Sequence, residues 1–308
     1  MRIATFNVQN LRLRRGPGPS GLDGARDGDE PATGPDPDRD HADRQLTAAV
    51  IADAGADVVC LQEVYDLPSL DHFHDAFLRP TGAAPWPHRV CLPGNDGHGR
   101  DVAILSRVPL ADVASHAGLI PGDLGLCPPP GTDPARPIFC RDVLRARVGA
   151  LTLWVVHFKA PWPDRLAARA ARALEAAAVR CLIERRFAGD DDALWLVLGD
   201  FNEPARPDGQ TRAIAPLLAP FSCDLMERLP SGERWSYRLP GCGLRSCPDR
   251  MLASPALARR WPDARPRIHR GGMPPDPAAG QVDPSRPRAS DHALLSLDLP
   301  GLLGGPAP

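Results

Sequence analysis

The sequence is short of several things, and each shortage closes off a class of function. No run of about 18 apolar residues occurs, so no membrane-spanning helix is expected. The charge is nearly balanced, −2 over 308 residues. That argues against a polyanion binder working by bulk charge, which would be basic, although a local basic rim would still suffice for a nucleic-acid enzyme. Eight cysteines are scattered at positions 60, 91, 127, 140, 181, 223, 242 and 247, and none stands in a Cys-x-x-Cys pair. Zinc-site spacing is therefore missing, and reduced thiols are expected. Met1 to Phe6 enters an apolar strand without the basic start and hydrophobic run of an export signal. The expectation is a cytoplasmic monomer with no stable membrane association.

What is present is 43% hydrophobic residues in a chain long enough for one large core. Short apolar strands carry it: Ile3 to Val8, Val58 to Leu61, Val102 to Leu105, Val143 to Val148, Leu151 to Val156, Leu194 to Leu198, Met251 to Ser254 and Ala293 to Leu299. Helical patterns cover Asp43 to Ala54, Asp71 to Leu78 and Asp164 to Phe187. In the last, Leu166, Ala170, Leu174, Ala177 and Cys181 form an apolar stripe, and Arg165, Arg169 and Arg172 read as a solvated face. Pro is abundant at 37 residues and fills loops. Residues 14–40 are rich in Gly, Pro and Asp without periodicity and read as a flexible insertion; residues 301–308 read as a disordered tail. Strands outnumber helices, which suggests one domain over 1–300 with two sheets packed face to face and helices outside.

Polar residues gather where the strands end. Asn7 follows the first strand, Glu63 the second, and His157 closes Val-Val-His-Phe-Lys. Gly199-Asp200-Phe201-Asn202-Glu203-Pro204 follows a buried strand, and Ser290-Asp291-His292-Ala293 precedes the last. Carboxylates with a carboxamide are oxygen ligands for a hard cation such as Mg²⁺ or Mn²⁺. Histidines handle protons near neutral pH. Gly199 permits a tight turn that can aim Asp200 and Asn202 into one cleft. Taken singly, each has a plainer reading: a strand-end amide, a surface carboxylate, a satisfied core histidine, an Asx turn. The set as a whole favours chemistry.

The segments TFNVQNL, LQEV, HFK, GDFNEP and SDHA resemble the endonuclease/exonuclease/phosphatase superfamily, in the family's order and over nearly the whole chain. The resemblance implies an α/β (α+β) fold, a four-layer α/β/β/α sandwich of two packed mixed sheets flanked by helices. It implies a metal-dependent phosphoester hydrolase in which Glu63, with Asn7 and Asp291, binds Mg²⁺ or Mn²⁺. Asp200 would position or activate the attacking water, and Asn202 would hold it or a phosphoryl oxygen. His292 would contact the scissile phosphate, and His157 the phosphate or the leaving oxygen. Asp249, in CPDRMLASPAL, resembles the aspartate that orients His292. Asp101 is a candidate for orienting His157, while Arg141 and Lys159 are candidates for substrate phosphate.

The motifs fix the reaction class better than the substrate. A nuclease reading draws on Arg100, Arg107, Arg141, Lys159 and the basic stretch Arg259 to Arg270 with Trp261 and His269. The alternative is a phosphatase or phospholipase C-like hydrolase of an inositol phosphate, sphingomyelin or another small phosphoester. A third reading is an inactive binding module; the intact residue set speaks against it.

Overall fold

In the computed structural model, residues 1–15, 21–26, 36–204, 212–239, 243–276 and 286–303 are described. The first half runs β1 (Arg2–Leu11), β2 (Leu13–Arg14), β3 (Gly21–Leu22), α1 (Pro37–Ala54), β4 (Val58–Val64), α2 (Leu67–Phe73), β5 (His88–Cys91), β6 (Asp101–Ser106), β7 (Ala111–Ala114) and α3 (Pro121–Leu124). The second runs β8 (Val143–Val148), β9 (Leu151–His157), α4 (Arg165–Arg186), β10 (Trp195–Asp200), β11 (Cys223–Asp224), β12 (Tyr237–Arg238), β13 (Arg245–Ser246), β14 (Asp249–Ala253), α5 (Pro255–Arg260), β15 (Arg267–His269) and β16 (Leu294–Asp298).

Two six-stranded sheets result, ordered β15-β16-β1-β4-β6-β5 and β11-β14-β10-β9-β8-β7. Each is mixed, with one parallel pair at its centre: β1 with β4, and β9 with β10. Alternation along the strands sorts side chains between layers. Ile3, Val58, Cys60 and Ile104 of the first sheet pack against Leu144, Leu153, Val155, Leu196 and Met251 of the second. Their neighbours turn outward: Ala4, Phe6, Val59 and Leu61 under α1 and α2, and Trp154, Val156, Trp195 and Val197 under α4. This is the expected α/β/β/α sandwich. Among the described residues, no helix is long and apolar enough to cross a membrane.

Two expectations need correction. Helix α1 begins at Pro37 rather than Asp43, because Asp36 caps it by accepting the amide of Arg39 at 3.2 Å, with Pro at the first turn. Helix α4 buries a different face from the one its apolar spacing suggested. Leu166 is 71% exposed, while Ala168, Arg172, Glu175, Ala176, Val179 and Ile183 are buried. Arg172 is not solvated: it donates to the carbonyl of Lys159 at 3.0 Å. Glu175 accepts the amides of Cys140 at 3.0 Å and Lys159 at 2.8 Å. These polar groups satisfy loop backbone that would otherwise be buried unpaired.

Part of the segment read as a flexible insertion carries specific contacts. β3 pairs with β2. Arg14 meets Asp40 at 2.7 Å, and Arg26 meets Asp43 at 3.2 Å. Residues 16–20 and 27–35 lie outside the described residues, as do 304–308 of the expected tail. Leu302 packs against the core between the sheets.

At Gly199 the backbone has φ +139°, and an added Cβ would lie 2.0 Å from the carbonyl oxygen of Val156 on the adjacent strand. Side chains are excluded there by both conformation and space. Gly199→Ala is expected to destabilise the fold by on the order of 3 kcal/mol or more, read as a lowered denaturant midpoint; an unchanged midpoint would refute the contact.

Candidate active site

The two sheets end together at one edge, and five strand ends deliver the polar groups there. Asn7 comes from β1, Glu63 from β4, His157 from β9, Asp200 from β10 and Asp249 from the start of β14. The Ser290–His292 segment leads into β16 and is pinned by the Ser290 hydroxyl donating to the Asn7 carbonyl at 2.6 Å.

The backbone is held in unusual shapes at this edge. Five non-glycine residues among those described have positive φ: Gln9, Asn10, Glu63, Asp112 and Asn202. Four of the five belong to the site segments. Such conformations cost energy and persist only where their surroundings enforce them. One enforcer is Arg44 of α1, which is fully buried. Its guanidinium donates to the carbonyls of Val8 at 2.7 Å, Gln9 at 2.6 Å and Asn10 at 3.0 Å.

Asp200 is the hub. Its Oδ1 accepts the amide of Asn202 at 2.8 Å. Its Oδ2 lies 3.2 Å from Asn7 Nδ2 and 3.3 Å from Asn202 Nδ2. The Nε2 atoms of His157 and His292 approach the same oxygen, at 3.6 and 3.8 Å. Asn7 Nδ2 also reaches Glu63 Oε1 at 3.2 Å, and Glu63 Oε2 accepts the amide of Asn10 at 3.1 Å. Asp249 Oδ2 bonds Nδ1 of His292 at 2.9 Å and accepts the Ser236 hydroxyl at 2.6 Å. Asp291 is placed by its amide donating to Gln9 Oε1 at 3.2 Å, with Oδ1 4.0 Å from His292 Nε2. Tyr237 lays its ring 4.8 Å from that of His292.

Burial and charge push the titrations apart. Burial raises the Asp200 carboxyl to about 6, against the pull of charged His292. Burial disfavours the His292 cation, but Asp249, Asp291 and Asp200 outweigh it and hold its pKa well above the ordinary value. Burial lowers His157 well below the ordinary value, and the charges of Arg141, His292 and Arg100 lower it further. One histidine is thus kept charged and the other neutral, on either side of a carboxyl that exchanges protons near neutrality.

The remaining sequence candidates are placed differently. Asp101 does not reach His157 by a hydrogen bond: its Oδ1 and the Nδ1 of His157 are both buried without a hydrogen-bond partner. Arg141 donates to the Phe158 carbonyl at 2.9 Å and faces Asp96 at 3.4 Å. The Lys159 ammonium binds the carbonyls of Ala160 and Trp162. The basic groups of Arg141 and Lys159 therefore brace the loop after β9. Residues the motifs did not single out include Gln9, Asn10, Ser236 and Tyr237. Asn10 and Gln9 stood inside TFNVQNL and could have been found there; Ser236 and Tyr237 carried no signal beyond their neighbourhood to Asp249.

Two groupings of side chains could hold a cation. Ligand atoms of Asp200, Asp249 and His292 lie within 4.8 Å of one another. There, however, Nδ1 of His292 and Oδ2 of Asp249 are engaged with each other. Glu63 and Asp291, with the amide of Asn7, offer oxygen donors suited to a hard cation; here Asn7 turns its Nδ2 to Glu63, and its Oδ1 accepts the Gln9 amide at 3.0 Å. No basic side chain comes closer to Glu63 than Arg100, at 3.9 Å among the described residues. Both side-chain polar atoms of buried Asn10, whose amide binds Glu63, lack partners.

Asp249 gives a direct test of the charge on His292. Asp249→Asn is expected to move the His292 titration, followed by NMR, down by at least about one unit; an unmoved midpoint would show that Asp249 does not sustain the cation.

No curated protein matches the chain by sequence. Solved structures share its fold at low identity. Truncated TDP2 of Caenorhabditis elegans aligns with TM-score 0.56 and 15% identity, covering 96% of each chain. An AP endonuclease from Archaeoglobus fulgidus gives 0.58 and 16%, covering 97% of this chain and 99% of that one. A mannosyl-6-phosphatase from Bacteroides thetaiotaomicron gives 0.56 and 13%, covering 97% and 98%. The Endonuclease/Exonuclease/phosphatase family model matches residues 4–292, a span that holds all the site residues described above. The chain belongs to that family of phosphoester hydrolases, whose members use divalent metal ions.

Proposed function

We propose that the chain is a Mg²⁺- or Mn²⁺-dependent phosphodiesterase that cleaves nucleic acid by in-line attack of water. The observation that carries this reading is the buried Asp200 carboxylate, facing Nε2 of both His157 and His292 and held by Asn7 and Asn202.

Each residue has a task that its surroundings suit. Asp200, with a pKa of about 6, is ionised often enough near neutral pH to accept a proton from water. Asn202 keeps that carboxylate oriented through its own amide and side chain. His292 is charged, so its Nε2–H can donate to a phosphoryl oxygen whose charge grows during attack, and Asp249 fixes its ring. His157 is neutral and can hydrogen-bond the phosphate without adding charge. Glu63, Asn7 and Asp291 would hold the divalent cation, which supplies charge neutralisation at the phosphoryl group.

A second reading is hydrolysis of a small phosphoester. It draws support from the mannosyl-6-phosphatase, which shares the fold about as well as the AP endonuclease does.

Asp200→Ala and His292→Ala are each expected to lower kcat by about a thousandfold or more with the fold retained. A variant near wild-type rate would remove that residue from the chemistry. EDTA is expected to abolish turnover, and Mg²⁺ or Mn²⁺ to restore it; full activity after exhaustive chelation would rule out the metal. A screen of supercoiled plasmid, single-stranded DNA and RNA beside bis-p-nitrophenyl phosphate, inositol phosphates and sphingomyelin decides the substrate. Activity confined to small or lipid esters would overturn the nuclease reading.

A further inference from the structure

The strand pair β12–β13 lies beside the site and carries a cluster that the chemistry above does not use. Tyr237 of β12 rests on His292, and Ser236 just before it binds Asp249. One residue further back is Trp235, half-buried. Three guanidinium groups surround its indole: Arg270 at 4.1 Å, Arg245 at 4.8 Å and Arg238 at 5.0 Å. Arg234 adjoins it in sequence and helps line, with Trp235, Arg212, Arg245 and Arg250, a cavity of about 410 Å³ that reaches Glu203 and Pro204, directly after Asn202.

The charges here are poorly balanced. Arg250 is paired with Asp224, and Arg238 faces Asp276 at 3.5 Å. Arg234 donates only to the carbonyls of Leu229 and Glu227. Arg270 donates only to those of Trp235 and Glu233. Arg245 is exposed and has the indole as its contact. Among the described residues, none of these three meets a carboxylate within ion-pair distance. Burial lowers the Arg270 pKa and repulsion from Arg245 and Arg238 adds to the effect, against a partial offset from Glu233. Carbonyl oxygens satisfy hydrogen bonds but do not neutralise charge. A guanidinium held against an indole is also pre-oriented: Arg245 can turn its N–H fork to a planar or tetrahedral anion, while Arg234 and Arg270, with Nε and Nη2 engaged, keep only Nη1 for one.

We propose that Trp235 with Arg234 and Arg245, backed by Arg270 against the indole, forms an accessory phosphate subsite, which grips a second phosphate of the substrate beyond the one being cleaved. This deepens the phosphodiesterase reading and rests on it. A larger cavity, about 730 Å³ and also arginine-rich, is lined by Glu233, Arg260, Arg265, Arg267, Arg270 and Asp298, so Arg270 joins the two, with its guanidinium on the Trp235 indole. It opens by the far end of β16, whereas the Trp235 cluster stands by the near end, where the amide of Ala293 donates to the Ser236 carbonyl at 2.7 Å. Only the Trp235 cluster is placed for a substrate whose scissile group lies at His292. A second phosphate belongs to a nucleic-acid strand and also to a polyphosphorylated small ester, and the test separates them.

Arg245→Gln and Arg245→Lys alter an exposed side chain whose contact is the indole, so both are expected to fold. For a single-stranded 12-mer, Arg245→Gln should raise KM roughly tenfold with kcat little changed, and reduce the log–log salt slope of binding by about 0.7. Arg245→Lys should fall between it and wild type, keeping charge and losing the fork. Turnover of bis-p-nitrophenyl phosphate, which has a single phosphate, should not change. The same KM effect on an inositol bisphosphate but not on the 12-mer would support the subsite and assign it to a small ester. Equal losses on every substrate, or none on any multiphosphate substrate, would overturn it. Binding of the 12-mer in EDTA, measured by fluorescence anisotropy, reads the subsite even if the protein hydrolyses none of these esters.

Discussion

The hydrogen bond from Asn7 to Asp200, which crosses between the sheets, marks the constraint on which the site depends. Its two ends belong to different sheets, so their separation is set by the thickness of the core between them. That core is Ile3, Val58 and Cys60 against Leu153, Leu196 and Met251, all essentially without solvent exposure. Interiors of this density do not yield easily. A change of volume there would shift Asn7 and Glu63 against Asp200 and His157, although none of these residues would itself be altered. The apolar layers therefore act as the ruler for the polar edge.

Each sheet also has a helix that reaches into the site's loops with charged groups. On the first sheet Arg44 of α1 gathers the three carbonyls after Asn7. On the second, Arg172 and Glu175 of α4 fasten the backbone at Lys159 and Cys140, next to His157. Side chains of this kind are costly to bury unless fully engaged. Here they tie down peptide groups that would otherwise face the same penalty, and they hold left-handed backbone at Gln9 and Asn10. The outer layers thus do more than cover the sheets.

The sequence made the strands and the site legible because both leave short-range marks. Apolar runs ending in Asn7, Glu63, Asp200 and His292 are visible without any knowledge of what lies opposite. The pairing of Asp249 with His292 was within reach through its motif. The buried face of α4 was not, since it mixes Ala with Arg172 and Glu175 and their partners are loops more than ten residues away in sequence. The same applies to the Phe158, Ala160 and Trp162 carbonyls that Arg141 and Lys159 bind, which their charges alone did not announce. Trp235 gave no signal because its arginines come from positions 238, 245 and 270.

The place of β1 between β4 and β16 bears on how the chain is made. β4 follows β1 after the short β2–β3 pair and helix α1, but β16 comes nearly three hundred residues later, pairing Arg2 with Asp298. During vectorial synthesis the first strand must wait with one hydrogen-bonding edge unsatisfied until the last has left the ribosome. Asn7 and His292 arrive at opposite ends of that interval. A nascent chain cannot assemble the cleft early, and one cut short before residue 290 lacks both His292 and the strand that flanks β1.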